Sequence, residues 1–418
     1  MRGLTAFDRY LSAGSPAPLA VAFSGGGDSL ALLLKTRAWA DAHGRRVLAL
    51  TVDHHLNPQS IAWTERCRET AQRLGVAFEE LHWDGDKPAT GIPAAARAAR
   101  HRLLANAARA AGAKVLLMGH NADDLLEAEV MRAGGSTVPD VREWSPSPAW
   151  PEGRGVFILR PLLRERRAAL REWLAAQAET WIDDPANEDL KFARSRARHS
   201  SPPPRGEGAG GGGACSAYAG ASPPPQPLRA RGRGFMEEAG VLRVKRRALD
   251  EQEIAAACLC AAGTTRPPRG DRLARLTERL NGGETFTATL AGARVEAPAS
   301  IVLFMRDAGE TARGGLQPVR LTPGEPVVWD GRYEVTAERP LAVHPLKGLA
   351  ARLPAAEQQA LKAIPAAARP GLPALVDAAG VVHCPLLARE PHVTACTLVL
   401  ERFRAATGHI GHEDDLAR

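Results

Sequence analysis

Short apolar runs alternate with longer amphipathic segments along the first 162 residues of the chain. Five of these runs predict strands, at residues 19–23, 46–52, 76–83, 114–119 and 156–162. The segments between them predict helices, two of which end at Gly44 and Gly75, while Pro93 suits the first turn of another. Strands that alternate with helices predict an α/β fold, a doubly wound parallel sheet with helices on both faces.

The pattern changes after residue 198. Residues 199–234 are mostly Pro, Gly, Ser, Ala and Arg, a composition that cannot bury a core, so we predict a disordered insert there. Residues 235–313 predict helices followed by hairpins, and residues 314–418 predict a smaller mixed α/β domain. The predicted first domain therefore comprises residues 1–198.

Composition and charge narrow the classes of protein that fit. A formal net charge of +7 over 418 residues favours a polyanionic partner such as nucleic acid, although a solvated surface rich in arginine would give the same value. The six cysteines form no C-x-x-C pair, which argues against a zinc ribbon or a disulfide framework. No run approaches the ~18 apolar residues of a membrane span. We therefore predict a soluble cytoplasmic protein without membrane contact.

The segment SGGGDS, residues 24–29, follows the first predicted strand and opens a helix. Gly25, Gly26 and Gly27 would let the backbone approach phosphates, and Ser24 and Ser29 would donate their hydroxyls. The Walker lysine of the common phosphate loop is absent, and the alternative is a plain strand–helix turn. A carboxylate at Asp28 beside phosphates requires a cation between them, which suggests Mg²⁺.

Three further clusters lie where the predicted strands and helices meet. Asp53 ends the second strand, near the place of a nucleotide ribose in related folds, although a turn aspartate explains it equally well. Arg97 and Arg100 share one helix face and could bind phosphates, or be solvated. Asp123 and Asp124 open a helix after the fourth strand, where they would cap it or bind Mg²⁺ or a substrate ammonium.

These clusters occur in a recognisable order. SGGGDS, VDHHL, RAARH, GHNADDLLEA, RPLL, DDPANED and RSRAR resemble, in sequence, the blocks of the tRNA(Ile)-lysidine synthetase family, within the PP-loop superfamily of N-type ATP pyrophosphatases. The resemblance covers about residues 19–198. It implies a PP-loop ATPase fold and an enzyme that cleaves ATP between its α and β phosphates, so the missing Walker lysine is expected.

The resemblance also implies a reaction and its partners. The C2 oxygen of the wobble cytidine in tRNA(Ile) with a CAU anticodon would be adenylated, and the α-amine of free L-lysine would then displace AMP to form lysidine. ATP and Mg²⁺ would be the cofactors, and a homodimer is compatible with the sequence. We assign residues 314–418 to tRNA contacts by charge and position alone.

By match of position, the resemblance also assigns roles to individual residues. Asp28, Asp123, Asp124 and Arg97 would be catalytic, with Asp28 as the Mg²⁺ ligand. The ATP-binding residues would be Ser24, Gly25, Gly26, Gly27, Asp28, Ser29, Asp53 and Arg100. The residues that would contact phosphates of ATP or tRNA are Arg194, Arg196 and Arg198.

The chain departs from the family pattern at several points. Ala128 replaces the usual threonine, Ser195 replaces an asparagine, and the insert at 199–234 replaces a continuing helix. Two alternatives therefore stay open. One is a PP-loop enzyme that thiolates cytidine, which the absence of a C-x-x-C pair disfavours. The other is a catalytically impaired paralogue that still binds RNA.

Overall fold

The computed structural model describes residues 5–135, 141–183, 233–310 and 315–417. These residues divide into two compact units, the first formed by the chain up to Asp183 together with the segment from Ile410 onward, and the second by Arg233–His409. Arg194, Arg196, Arg198 and nearly all of the predicted insert at 199–234 lie outside the described residues. None of the described helices has the length and apolar character needed to cross a membrane.

The first unit is built on a six-stranded sheet with the strand order β3-β2-β1-β4-β6-β5. Its strands are β1 (Leu19–Ala22), β2 (Val47–Asp53), β3 (Ala77–His82), β4 (Val115–Leu117), β5 (Trp144–Pro146) and β6 (Phe157–Leu159). Its helices are α1 (Thr5–Tyr10), α2 (Gly27–Ala42), α3 (Ser60–Arg73), α4 (Ile92–Ala110), α5 (Ala122–Ala133) and α6 (Arg167–Ala175). All pairings are parallel except that of β5 with β6.

The predicted doubly wound sheet is confirmed, and the burial pattern explains why the strands are continuously apolar. Ala20 packs in a core on one face of the sheet, and its neighbour Val21 packs in the core on the opposite face. Leu116 and Leu117 of β4 divide between the same two cores. A parallel strand covered by helices on both sides needs an apolar residue at every position, which removes the alternation of a half-exposed strand.

The strand order places a topological switch point at the carboxyl ends of β1 and β4. The chain leaves β1 toward β2 on one side, and after β3 it crosses to β4 on the other side. The loop before α2 and the loop before α5 therefore meet, and a Cβ atom added to Gly119 would lie 3.1 Å from the backbone oxygen of Asp28. Ligands of open α/β sheets bind at such a crevice.

The C-terminal segment returns to the first unit after the second unit is complete. The guanidinium of Arg45 donates to both carboxylate oxygens of Glu413, at 2.8 and 2.9 Å, and these side chains are 0% and 2% exposed. Arg45 also donates to the carbonyl oxygens of Ser12 and Ala17. The indole of Trp144 donates to the carbonyl of Ile410 at 2.9 Å. These contacts bury Glu413 within the first unit and join the segment that begins at Ile410 to it.

The second unit contains three antiparallel sheets and four helices. Its strands are β7 (Met236–Glu238), β8 (Val241–Lys245), β9 (Phe286–Leu290), β10 (Ala293–Ala297), β11 (Ile301–Arg306), β12 (Val319–Leu321), β13 (Val327–Trp329), β14 (Tyr333–Ala337), β15 (Leu341–Pro345), β16 (Pro373–Val376), β17 (Val382–His383) and β18 (Val393–Thr397). Its helices are α7 (Glu251–Ala261), α8 (Asp271–Asn281), α9 (Ala355–Leu361) and α10 (Val399–Ala406). The sheets have the orders β7-β8-β11-β10-β9, β12-β15-β16-β17 and β13-β14-β18.

Helix α10 packs in the same core as the five-stranded sheet, since Val399 and Phe403 belong to one cluster with Phe304. Residues from beyond the predicted border at 313/314 therefore complete the core that precedes it. The border itself adjoins residues 311–314, which lie outside the described residues, and it stays a prediction.

Candidate active site

The glycine-rich loop between β1 and α2 is held in one conformation by its own hydrogen bonds. The Ser29 hydroxyl donates to the carbonyl of Gly26 at 2.9 Å, and the Ser24 amide donates to the Ser29 hydroxyl at 3.2 Å. Gly25 has φ +77°, and a Cβ atom added there would lie 2.4 Å from Cδ1 of Ile182. No described side chain caps the start of α2, so its first amides are available to an anion.

Asp28 combines a buried oxygen with a paired one. Its Oδ1 is buried and has no hydrogen-bond partner among the described residues, while its Oδ2 accepts from Nε of Arg167 at 3.2 Å. Burial raises the pKa of Asp28, and the charge of Arg167 lowers it only in part. A buried carboxylate oxygen without a hydrogen-bond partner among the described residues is suited to a divalent cation.

The two acids at the start of α5 are engaged in different ways. Asn121 caps the helix by accepting from the amides of Asp123 and Asp124, and Oδ2 of Asp124 accepts from the Asn121 amide at 2.9 Å. Asp124 thus has the capping role that the sequence left open. Asp123 accepts from the Arg167 amide at 2.7 Å and pairs with the Arg166 guanidinium at 2.8 Å.

Arg167 is the first residue of α6, and its guanidinium contacts three acidic side chains, Asp28 from the start of α2 and Asp124 and Glu127 from α5. We name these three side chains the carboxylate cluster. The guanidinium lies 3.2 Å from Asp28, 3.6 Å from Asp124 and 3.2 Å from Glu127. Burial opposes the positive charge of Arg167, but the attraction of Asp28, Glu127 and Asp124 outweighs it and raises its pKa. Three carboxylates therefore surround one guanidinium, and each of them lies nearest to a different nitrogen of Arg167.

Sequence reasoning singled out neither Arg167 nor Glu127. Glu127 is only 2% exposed and follows Asp124 by three residues, so both lie on one face of α5. That spacing was a usable signal within GHNADDLLEA. Arg167 had none, because Arg164, Arg166 and Arg171 stand close to it in the sequence.

Asp53 is buried at the end of β2 and takes part in a turn. Its Oδ1 accepts from the His55 amide at 2.7 Å, and its Oδ2 lies 3.1 Å from Nδ1 of His55. The turn interpretation is therefore realised. Asp53 also lines the cavity described below, so a contact with a nucleotide stays a prediction.

A basic region lies beside the carboxyl ends of the same strands. Burial lowers the pKa of His101 to about 3, and the charges of Arg100, Arg97 and Arg160 add to the effect. Burial, with the charge of Arg97, lowers the pKa of Arg160 to about 10. His101 is consequently neutral near pH 7, and the positive charge of this region belongs to the three arginines.

These loops enclose a cavity of about 1050 Å³. Its volume suits a nucleotide, because pockets for small molecules span roughly 300–1,000 Å³. The cavity lining includes the candidate residues Ser24, Gly26, Gly27, Asp28, Ser29, Asp53, Arg100 and Asp124, and it also includes Arg167. Gly25, Arg97 and Asp123 lie outside this lining. Arg194, Arg196 and Arg198 are outside the described residues.

Comparison with known proteins adds to this geometry. Residues 5–203 match the PP-loop domain family. The chain is 51% identical to the tRNA(Ile)-lysidine synthase of Caulobacter vibrioides over 426 residues, which cover 98% of this chain and 97% of that protein. It is 36% identical to the enzyme of the same name from Hyphomonas neptunium, over 71% of this chain and 83% of that protein. Among solved structures, it is similar to the U34-tRNA thiolase NcsA from Methanococcus maripaludis at 15% identity, over 47% of this chain and 70% of that chain, with a TM-score of 0.40.

Proposed function

The chain belongs to the tRNA(Ile)-lysidine synthase family, and on that basis we propose that it ligates lysine to C2 of the wobble cytidine of tRNA(Ile) with consumption of ATP. The protein is then a tRNA-modifying ligase that forms a C–N bond. The reaction has two steps. Attack of the cytidine C2 oxygen on the α-phosphate of ATP releases pyrophosphate, and a primary amine of lysine then attacks C2 and displaces AMP.

The observation that carries this proposal is the cavity that unites the glycine-rich loop with the carboxylate cluster. The uncapped amides of α2 and the hydroxyls of Ser24 and Ser29 line it, which supports a role for the loop in holding the departing pyrophosphate. Arg100 also lines it and adds positive charge. Such groups stabilise charge that develops on the phosphates during transfer.

We propose Asp28 as the protein ligand of Mg²⁺. Its buried, unpartnered Oδ1 supports the assignment, because a carboxylate oxygen is the ligand type that Mg²⁺ prefers. Bound there, Mg²⁺ would neutralise negative charge on the phosphates. The remaining contribution of Asp28 is to position the loop against Arg167 through its Oδ2.

The carboxylate cluster also supports a proposal for lysine. Asp124 and Glu127 are held by Arg167 in this structure, and an ammonium group of the substrate would make the same kind of ion pair. Arg167 would then be a stand-in cation that gives up part of its contacts when substrates enter. We propose Asp123 as the residue that keeps Arg166 and the start of α6 in place during this exchange.

Further assignments follow from the family and the charge of the chain. We propose the CAU anticodon as the recognised form of tRNA(Ile), a cytoplasmic location, and phosphate contacts by Arg97, Arg194, Arg196 and Arg198. We also propose that residues 314–418 contribute to tRNA binding. A homodimeric state is a further proposal.

The direct test is to incubate the protein with tRNA(Ile) bearing CAU, ATP and radiolabelled lysine. We expect label in the tRNA, together with AMP and pyrophosphate, and no label when uridine replaces the wobble cytidine. ADP as the nucleotide product would exclude the proposed adenylation. RNA binding without AMP would instead indicate an impaired paralogue, and sulfur incorporation would indicate a thiolating enzyme.

Arg167→Met is expected to lower the unfolding free energy of the substrate-free protein by about 2–4 kcal/mol, because three converging carboxylates lose their shared cation. Mg²⁺ should restore part of this loss in the variant and have a smaller effect on the wild type. Urea denaturation with and without Mg²⁺ measures both values.

Arg171→Met is the matched control, since Arg171 lies one helical turn further along α6 in an exposed ion pair with Asp183. Such surface pairs contribute at most about 1 kcal/mol. Equal losses in the two variants, or no recovery with Mg²⁺ in Arg167→Met, would contradict the stand-in role of Arg167.

A further inference from the structure

Two neighbouring strand ends bring a second group of metal-binding side chains together. Asp53 ends β2 and His82 ends β3, and the two residues are direct partners in the parallel register. His55 follows Asp53 by two residues. Each of the three side chains offers a ligand atom, and these atoms lie within 4.8 Å of one another. The register of β2 and β3 therefore places two of the three side chains, Asp53 and His82, next to each other.

The donor set differs from that of the proposed Mg²⁺ site. One carboxylate and two imidazoles are ligands of borderline divalent transition metals such as Zn²⁺, Co²⁺ and Ni²⁺. Mg²⁺ strongly prefers an all-oxygen environment, so it would not compete well here. The group is thus chemically separate from Asp28 and the carboxylate cluster.

The backbone already holds His55 toward this position. His55 has φ +50°, and its amide donates to Oδ1 of Asp53 at 2.7 Å. Its Nδ1 lies 3.1 Å from Oδ2 of Asp53. The rings of His55 and His82 are parallel with centroids 5.3 Å apart. A metal ion bound among these side chains would take the place of the direct contact between His55 and Asp53.

A further carboxylate lies near each of the two histidines. Nε2 of His55 lies 3.8 Å from Oδ1 of Asp84, and Nε2 of His82 lies 3.8 Å from Oε1 of Glu80. A metal-bound imidazole commonly directs its other nitrogen toward a carboxylate, which orients the ring and raises its basicity. If Nδ1 of His55 bound the metal, its Nε2 would face the carboxylate of Asp84 in this way.

We propose that Asp53, His55 and His82 form a binding site for a divalent transition metal of the Zn²⁺ class. The bound ion would join the ends of β2 and β3 and fix the turn after β2. Leu56 and Asn57 of that turn line the large cavity, so the metal would order one of its walls. This inference needs only the geometry of the first unit and does not depend on lysidine formation.

Co²⁺ is a suitable probe because its visible absorption reports the ligand set directly. The titration uses untagged full-length protein with Cys215→Ser and Cys396→Ser, since Cys396 is exposed and Cys215 lies outside the described residues. We expect one Co²⁺ per chain, visible bands typical of nitrogen and oxygen ligands, and displacement by Zn²⁺. His82→Ala should weaken binding by about 100-fold, since loss of even an outer-sphere partner costs 10- to 100-fold.

The matched control is His392→Ala, which removes another exposed histidine that is paired with a glutamate, at 2.6 Å from Glu338. It should bind Co²⁺ like the parent. Because His82 is exposed, folding of His82→Ala is expected to be intact, and His82→Gln with circular dichroism checks this point. Absence of Co²⁺ binding by the parent, or equal affinity in His82→Ala and the parent, would overturn the proposal.

Discussion

Replacing Asp28 with asparagine is expected to lower tRNA-dependent pyrophosphate release by about 10²–10³-fold, the loss typical of removing one electrostatic stabiliser from an active site. The buried Oδ1 of Asp28 has no hydrogen-bond partner among the described residues, so its negative charge is available for the proposed Mg²⁺. Asparagine keeps the shape of the side chain and removes that charge. The measurement is the rate of pyrophosphate release at saturating tRNA and ATP across a range of Mg²⁺ concentrations.

Asp41→Asn is the control for this experiment because Asp41 lies on the same helix, α2, in an exposed pair with Arg37. Its rate should match the wild type. Burial raises the pKa of Asp28, so the fold disfavours its charged form and asparagine should cost little stability. A rate within a few-fold of the wild type in a folded Asp28→Asn variant would remove Asp28 from the proposed metal site.

Local sequence was sufficient for the elements that carry the glycine-rich loop. An apolar run, three glycines and a helical pattern specify a strand, a turn and a helix without reference to the rest of the chain. The same reasoning missed β5, because Trp144–Pro146 is three residues long and ends in proline. An edge strand of that length leaves no periodicity to detect, and only its pairing with β6 defines it.

The sequence did not predict which side chains the site residues contact, because these contacts join segments that are far apart along the chain. Arg167 meets Asp28 across 139 residues, and Asp53 meets His82 through the register of two parallel strands. Neither relation is encoded in spacing along the chain, since nothing in the sequence distinguishes Arg167 from the neighbouring Arg164, Arg166 and Arg171. Several residues of the first, second and fourth blocks line the cavity, whereas Arg97 and Asp123 lie outside its lining. The packing of α6 decides which side chains touch Asp28.

The return of the C-terminus to the first unit was also invisible in the sequence, and it underlies the largest expected change in stability. Glu413→Ala is expected to lower the unfolding free energy of the first unit by about 3–5 kcal/mol, because it leaves the buried charge of Arg45 without its partner. Urea denaturation followed through tryptophan fluorescence measures the change. Asp414→Asn is the neighbouring control, since Asp414 is 71% exposed and its carboxylate lies 3.3 Å from Nδ1 of His412.

A double variant separates the loss of an ion pair from the loss of packing. Replacing Arg45 with methionine and Glu413 with leucine removes both charges and keeps apolar volume, and such exchanges of buried pairs are often neutral. The double variant should therefore be more stable than Glu413→Ala, although the carbonyls of Ser12 and Ala17 lose the donors of Arg45. If Glu413→Ala costs less than about 1 kcal/mol, the pair behaves like an exposed one and the C-terminal segment is not part of the folded core. If the single variant is strongly destabilised and the double variant recovers, the uncompensated charge of Arg45 is the cause, and the chain end stabilises the unit that contains the proposed ATP site.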